Sequence, residues 1–190
     1  MKKLGMCLVL ALFNFAVHAQ KTPAAIKFPS LDASPLDALY YPLNATKVKK
    51  EDTSMPIIKV LYSRPQRKGR EIFGVLEQFD KVWRLGANES TEIYFDRKVT
   101  IGDKKIKAGT YSLFAIPSKD KWTIIVNKQT SRWGLNYDET KDLVRVDVPV
   151  TKIEKPIEAL SMTFTDLEDG VNLVIAWDFT QVALPIHFKK

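Results

Sequence analysis

The residues best equipped for chemistry lie between positions 62 and 92, YSRPQRKGREIFGVLEQFDKVWRLGANESTE. Arg64, Arg67, Lys68 and Arg70 sit between strand-like runs, and Trp83-Arg84 and Gly86-Ala87-Asn88-Glu89 follow. Arginine forks match carboxylate or phosphate, an amide offers both donor and acceptor, and an indole stacks on flat ligands or sugar faces. Gly86 permits close backbone approach. The predicted ligand site is Arg64, Arg70, Trp83, Arg84, Asn88 and Glu89, with Tyr62, Tyr111 or Trp133 as walls. Two structural roles compete with it. The basic run reads equally as a solvated loop, and Arg84 with Glu89 as an internal ion pair that staples the segment.

Other chemistries find few residues to carry them. A serine triad needs a histidine base, and the choice past residue 19 is His187, on the polar face of a terminal strand. A two-carboxylate glycosidase would draw on Glu89 and Glu92, but three residues apart on an extended chain they face opposite ways. Asp166, Glu168, Asp169 and Gly170 resemble a charged hairpin turn more than a calcium loop. No catalytic residue, metal ligand or cofactor is therefore assigned.

The chain has 190 residues and a formal net charge of +7. Lys2 and Lys3, an apolar run from Leu4 to Val17 and the small-x-small step Val17-His18-Ala19 read as an export signal over residues 1–19. The apolar run is shorter than the roughly 20 residues that span a bilayer, so a membrane anchor is not expected. Cleavage before Gln20 removes two lysines, Cys7 and His18. It leaves a charge of +5, no cysteine and one histidine. Disulfides, thiol catalysis, Cys-ligated zinc and two-histidine sites are thereby excluded for the mature chain. The modest charge is spread along the chain, which argues against nucleic acid.

The elements that must hold the candidate residues are strands. Val144, Val146, Val148 and Val150 alternate with polar or proline positions, as do Leu160, Met162 and Phe164. Leu173, Ile175, Trp177 and Phe179 form one face opposite Asn172 and Asp178; Val182, Leu184, Ile186 and Phe188 form another. Further strands are predicted at about 57–63, 91–95, 98–101, 105–107, 110–116 and 121–127, with turns at Gly102-Asp103, Ser118-Lys119-Asp120 and Asp169-Gly170. Residues 129–142 read as irregular or weakly helical. Pro149 and Pro185 mark edge strands or bulges. The prediction is an all-β, antiparallel sandwich or barrel-like domain of about 8–10 strands over 57–190. It is preceded by an extended, proline-rich segment at 20–56 that docks over about 28–45. Within that segment Asp32, Leu36, Leu39, Tyr40 and Tyr41 are expected to form a short helical turn and a docking patch, while 20–27 and 46–55 are polar and loosely held.

Several stretches together resemble the domain of unknown function 2911 family of exported bacterial proteins. They are FPSLDASPLDALYYP at 28–42, YSRPQRKGREIFG at 62–74, KVWRLGANESTEIYF at 81–95, IGDKKIKAGTYSLFAIP at 101–117, WTIIVNK at 122–128, LVRVDVPV at 143–150 and LVIAWDFTQVALPI at 173–186. The resemblance implies a mainly β domain in the periplasm or outer envelope of a Gram-negative bacterium, and it brings no reaction or ligand. The expected function is non-catalytic binding of a small polar or carbohydrate-like ligand, or of an envelope protein partner. A hydrolase using Glu89 beside Arg84 on an envelope or glycan substrate is the alternative. An assembly role is a third reading, and it would show as an exposed apolar patch around Leu36, Leu39, Tyr40 and Tyr41.

Overall fold

The computed structural model describes residues 25–47 and 55–188. The expected export signal and most of the lysine-rich stretch at 46–55 lie outside these residues. Residues 25–30 fall in a separate unit without regular secondary structure; the rest of the description concerns residues from Leu31 onward.

Two antiparallel sheets make up the domain. The larger contains β1 (Leu36–Tyr41), β2 (Ile58–Ser63), β3 (Thr91–Phe95), β6 (Gly109–Pro117), β7 (Lys121–Asn127) and β8 (Asp142–Pro149), in that spatial order. The smaller runs β5 (Lys104–Ile106), β4 (Val99–Ile101), β10 (Gly170–His187) and β9 (Thr151–Leu167). Both sheets feed one buried core, whose largest side chains include Trp122, Trp177 and Phe95. The all-β architecture is thus a two-sheet sandwich with single 3-10 turns at Ala45–Lys47 and Glu139–Lys141. The period-two runs give these strands because alternate side chains reach the inter-sheet space. Leu160, Met162 and Phe164 are buried while Thr163 and Thr165 are exposed.

Two local expectations change. The segment predicted as a helical turn at 36–41 is a strand, paired along its length with β2 from Leu36↔Ser63 to Tyr41↔Ile58. Pairing with β2 satisfies the backbone groups of alternate residues along the whole segment, whereas an isolated helical turn closes only one or two such bonds. Leu39 and Tyr41 pack against the core, and the Tyr41 hydroxyl donates to Asp166 Oδ1 at 2.7 Å. The patch that an assembly role called for is therefore partly consumed by the fold.

The second change is in β10. The two expected faces, ending in Phe179 and starting at Val182, belong to one strand of 18 residues. Its register with β9 slips between Ala176 and Asp178 and again between Asp178 and Thr180. The extra residues lie on β9, Pro156 among them, and Asp178 takes a left-handed φ of 53°. This irregularity switches which parity faces inward. Odd positions are buried up to Trp177 and even positions from Asp178 onward. Asp178, expected on the polar face, is 8% exposed, and Phe179, expected in the core, is 40% exposed. Pro149 lies in the edge strand β8, and Pro185 lies beyond Gln181, the last β10 residue paired with β9.

Candidate functional site

The long connection from Arg64 to Ser90 bridges to Ala159 on β9 and to Ala115 on β6, and it carries most of the candidate residues. Arg64 is consumed by the fold. Its Nη1 lies 2.8 Å from Asp37 Oδ2 on β1, Nε donates to the Leu160 carbonyl at 3.0 Å and Nη2 to Ser161 Oγ at 2.9 Å on β9. All three fork nitrogens tie the edge of one sheet to the edge of the other. Arg64→Lys is expected to lose about 1–3 kcal/mol, because one ammonium cannot reproduce a planar fork. Urea unfolding reads this directly; an unchanged midpoint would show that the fork is dispensable.

Arg70 closes its own loop, donating from Nε to the Arg67 carbonyl (3.0 Å) and from Nη2 to the Gln66 carbonyl (2.6 Å). Trp83 is only 4% exposed. It belongs to an aromatic cluster with Phe73, Trp122 and Trp177, at ring separations of 5.8, 5.7 and 5.9 Å. Its indole N–H donates to the Gly86 carbonyl at 3.2 Å. Leu85 and Asn88 hold left-handed backbone at φ 53° and 59°. Gly86 between them is packed, since a Cβ there would stand 3.3 Å from the Ser63 carbonyl oxygen. Asn88 and Glu89 act through their backbones. The Asn88 carbonyl accepts from Gly134 N–H at 2.9 Å, and Glu89 makes a bridge with Trp133. Arg84 makes no ion pair with Glu89 among the described residues; its guanidinium lies over the Trp133 ring, 5.8 Å from the centroid.

These contacts build a cleft of about 570 Å³ lined by Leu76, Glu77, Val82, Trp83, Arg84, Gly134, Leu135 and Tyr137. The predicted residues thus separate. Trp83 and Arg84 line the cleft, and Asn88 and Glu89 hold its far wall in place. Arg70 contributes from nearby by its charge, and Arg64 works elsewhere. Of the expected walls, Trp133 is half exposed beneath Arg84. Tyr62 is buried and accepts from Met162 N–H at 3.1 Å, while Tyr111 lines a different depression beside Lys105 and Lys128.

Glu77 is the group that the sequence reading missed. Burial pushes its carboxyl up to about 7, while the positive charges of Arg84 and Arg70 pull it back. Tyr137 is pushed up to about 12 by burial and by its hydrogen bond to Asp142 Oδ2, at 2.7 Å. The available signal was Val75-Leu76 and Leu135, apolar residues in stretches without strand periodicity. All three are exposed. One carboxyl near neutrality, an arginine, a tyrosine and an apolar rim suit recognition of a ligand with a polar edge and an apolar face. Among the described residues, no group of three or more His, Cys, Asp or Glu side chains is placed to hold a metal ion.

A family model for proteins of unknown function, DUF2911, matches residues 44–186, about three quarters of the chain. The chain belongs to the DUF2911 family. Every residue lining the cleft falls within the matched stretch, whereas β1 precedes it. No curated protein and no solved structure matches the chain. Membership of the DUF2911 family fixes no ligand or reaction; these lie in the chemistry of the domain's own surface.

Proposed function

We propose that this DUF2911 protein is an exported, non-catalytic envelope protein whose cleft binds a small polar, carbohydrate-like ligand. The observation that carries the reading is the cleft's composition. Glu77 and Arg84 supply acceptor and donor beside Trp83 and Tyr137, and Leu76, Val82 and the 73%-exposed Leu135 form an apolar rim. Sugars present such paired faces, hydroxyl edges and C–H planes. The non-catalytic part rests on the single carboxyl among the lining residues, since two-carboxylate hydrolysis needs a pair. Export rests on the charged, apolar and small-residue pattern of residues 1–19. Mass spectrometry of protein recovered from cell fractions should find a mature N-terminus at Gln20 in the envelope fraction.

A thermal-shift screen against glycan and metabolite panels tests the site. The wild type should gain stability with at least one saccharide-like compound. Leu135→Asp should abolish that gain while leaving the ligand-free melting temperature nearly unchanged, because the side chain is exposed. Gly134→Ala should also abolish it. An added Cβ would stand 2.7 Å from Arg84 Cβ and 2.9 Å from the Asn88 carbonyl, so both walls must shift, at about 1–3 kcal/mol. A response that survives both variants would place binding elsewhere. The near-neutral Glu77 carboxyl favours a second reading, a hydrolase with Glu77 as acid or base. Turnover of a glycoside or ester that disappears in Glu77→Gln would replace the binding reading with that one.

A further inference from the structure

The β10 irregularity places a charge where strand alternation would not. Asp178 sits in left-handed backbone and is more than nine-tenths buried. Its Oδ1 lies 2.7 Å from Arg67 Nε, yet neither atom makes a well-angled hydrogen bond with any group. A contact whose two facing atoms are sealed from solvent and imperfectly satisfied is costly, the more so on left-handed backbone, and such features persist where a site requires them. Holding down the 64–70 loop does not require it. That loop is already fastened to β9 by the Gln66↔Ala159 bridge, by Arg67 N–H to the Glu158 carbonyl (2.6 Å) and by Lys68 N–H to Glu158 Oε1 (2.8 Å).

Arg67 and Asp178 open onto a cavity of about 430 Å³, together with Glu71, Phe73, Phe79, Lys152 and Thr180. The Arg67 guanidinium rests over the Phe179 ring, 5.6 Å from its centroid, and Asp178 faces its Nε. Its terminal nitrogens, free of hydrogen bonds among the described residues, are thereby pre-oriented as a fork. Lys152 Nζ stands 3.4 Å from Thr180 Oγ1 and adds a second cation. With Oδ1 sealed, Oδ2 is the Asp178 oxygen left for an incoming donor. Phe73 and Phe79 supply an apolar wall.

We infer that this cavity binds a small zwitterion of the α-amino-acid type with an apolar side chain. The carboxylate would lie on Arg67 and Lys152, and the ammonium on Asp178. A simple anion would meet the Asp178 and Glu71 carboxylates unmatched, and a simple amine would meet two cations. The ligand chemistry differs from that proposed for the Glu77 cleft, and the two sites share no lining residue.

Isothermal titration calorimetry on the purified protein with L-phenylalanine, 3-phenylpropionate and phenethylamine tests this. L-Phenylalanine should bind saturably, and each analogue lacking one charge should bind at least about tenfold more weakly. Asp178→Asn, which tolerates left-handed backbone, and Lys152→Ala, at an exposed position, should each weaken L-phenylalanine by at least about tenfold. Leu135→Asp should leave it unchanged, which separates this site from the cleft. If Asp178→Asn fails to fold, Lys152→Ala decides. No saturable heat up to ~10 mM L-phenylalanine, equal binding of 3-phenylpropionate, or full affinity in Lys152→Ala would overturn the inference.

Discussion

Gly170→Ala is expected to cost more than about 4 kcal/mol and to leave no cooperatively folded domain at physiological temperature. Gly170 opens β10 at the tight turn from β9, where a Cβ would stand 2.8 Å from His187 Cα and 3.0 Å from the Ile186 carbonyl carbon. Those are backbone atoms of the same strand, so no rotamer change relieves the collision. The far end of β10 is fixed against the turn by Phe188 N–H to the Asp169 carbonyl (2.8 Å) and by His187 Nδ1 beside Asp169 Oδ1 (2.7 Å). Relieving the clash means separating those contacts and, with them, the longest strand pair in the domain. The control is Gly69→Ala. Gly69 has a φ of 72° but nothing within 4 Å of an added Cβ, so only backbone strain, about 1 kcal/mol, should appear. Thermal unfolding by circular dichroism compares the two. If Gly170→Ala melts within a few degrees of the parent, β10 does not clamp the turn as described.

The second large effect is a pH dependence centred on Glu77. Its carboxyl has a usual value of 4.5 and is held up at about 7 in the folded protein. The unfolded chain therefore releases this proton at a lower pH than the folded one. The stability associated with the protonated carboxyl is complete below about 4.5 and is lost as pH rises through about 7. Allowing for the partial exposure of the side chain, the loss is about 1–3 kcal/mol. Glu77→Gln, which keeps the shape and stays neutral, should match the wild type at pH 4 and exceed it by that amount at pH 8. Urea midpoints at the two pH values measure it. A constant difference between the proteins across that range would mean that Glu77 ionises as it does in water. The same titration should tune the cleft, because above pH 7 Arg84 and Arg70 face a carboxylate and below it a hydrogen-bond donor.

His187 and Arg64 show how far residue type alone carries an argument. Strand parity puts His187 on the polar face near the end of a terminal strand, and it lies there, beside the Asp169 turn. Parity is a local property. Residue type alone makes Arg64 a fork for a ligand. Its fork is real, but the ligands are Asp37, Leu160 and Ser161, up to 97 residues away in sequence. An arginine's donors are the same whether they meet a substrate or a strand, and only chain topology says which.

Strand content, the turns at Gly102, Ser118 and Asp169, the lack of cysteine beyond Cys7 and family membership all followed from the sequence itself. Each rests on short-range periodicity, turn chemistry or a count. The sites rest on contacts between distant segments. Arg84 is pressed onto Gly134 and stacked on Trp133 because the backbone of Asn88–Ser90 pairs with 132–134. The Glu77 carboxyl is pushed up to about 7 because folding takes it out of water; the adjacent Val75-Leu76 hints at apolar surroundings but not at that burial. Asp178 is buried and Phe179 exposed because a slip in the β9–β10 register inverts the alternation that their sequence displays. Local pattern determined the strands from Ile58 onward; that Leu36–Tyr41 joins them as β1, where their register breaks, and hence which charged groups end up in the cavities, was decided by the pairing and packing of two sheets.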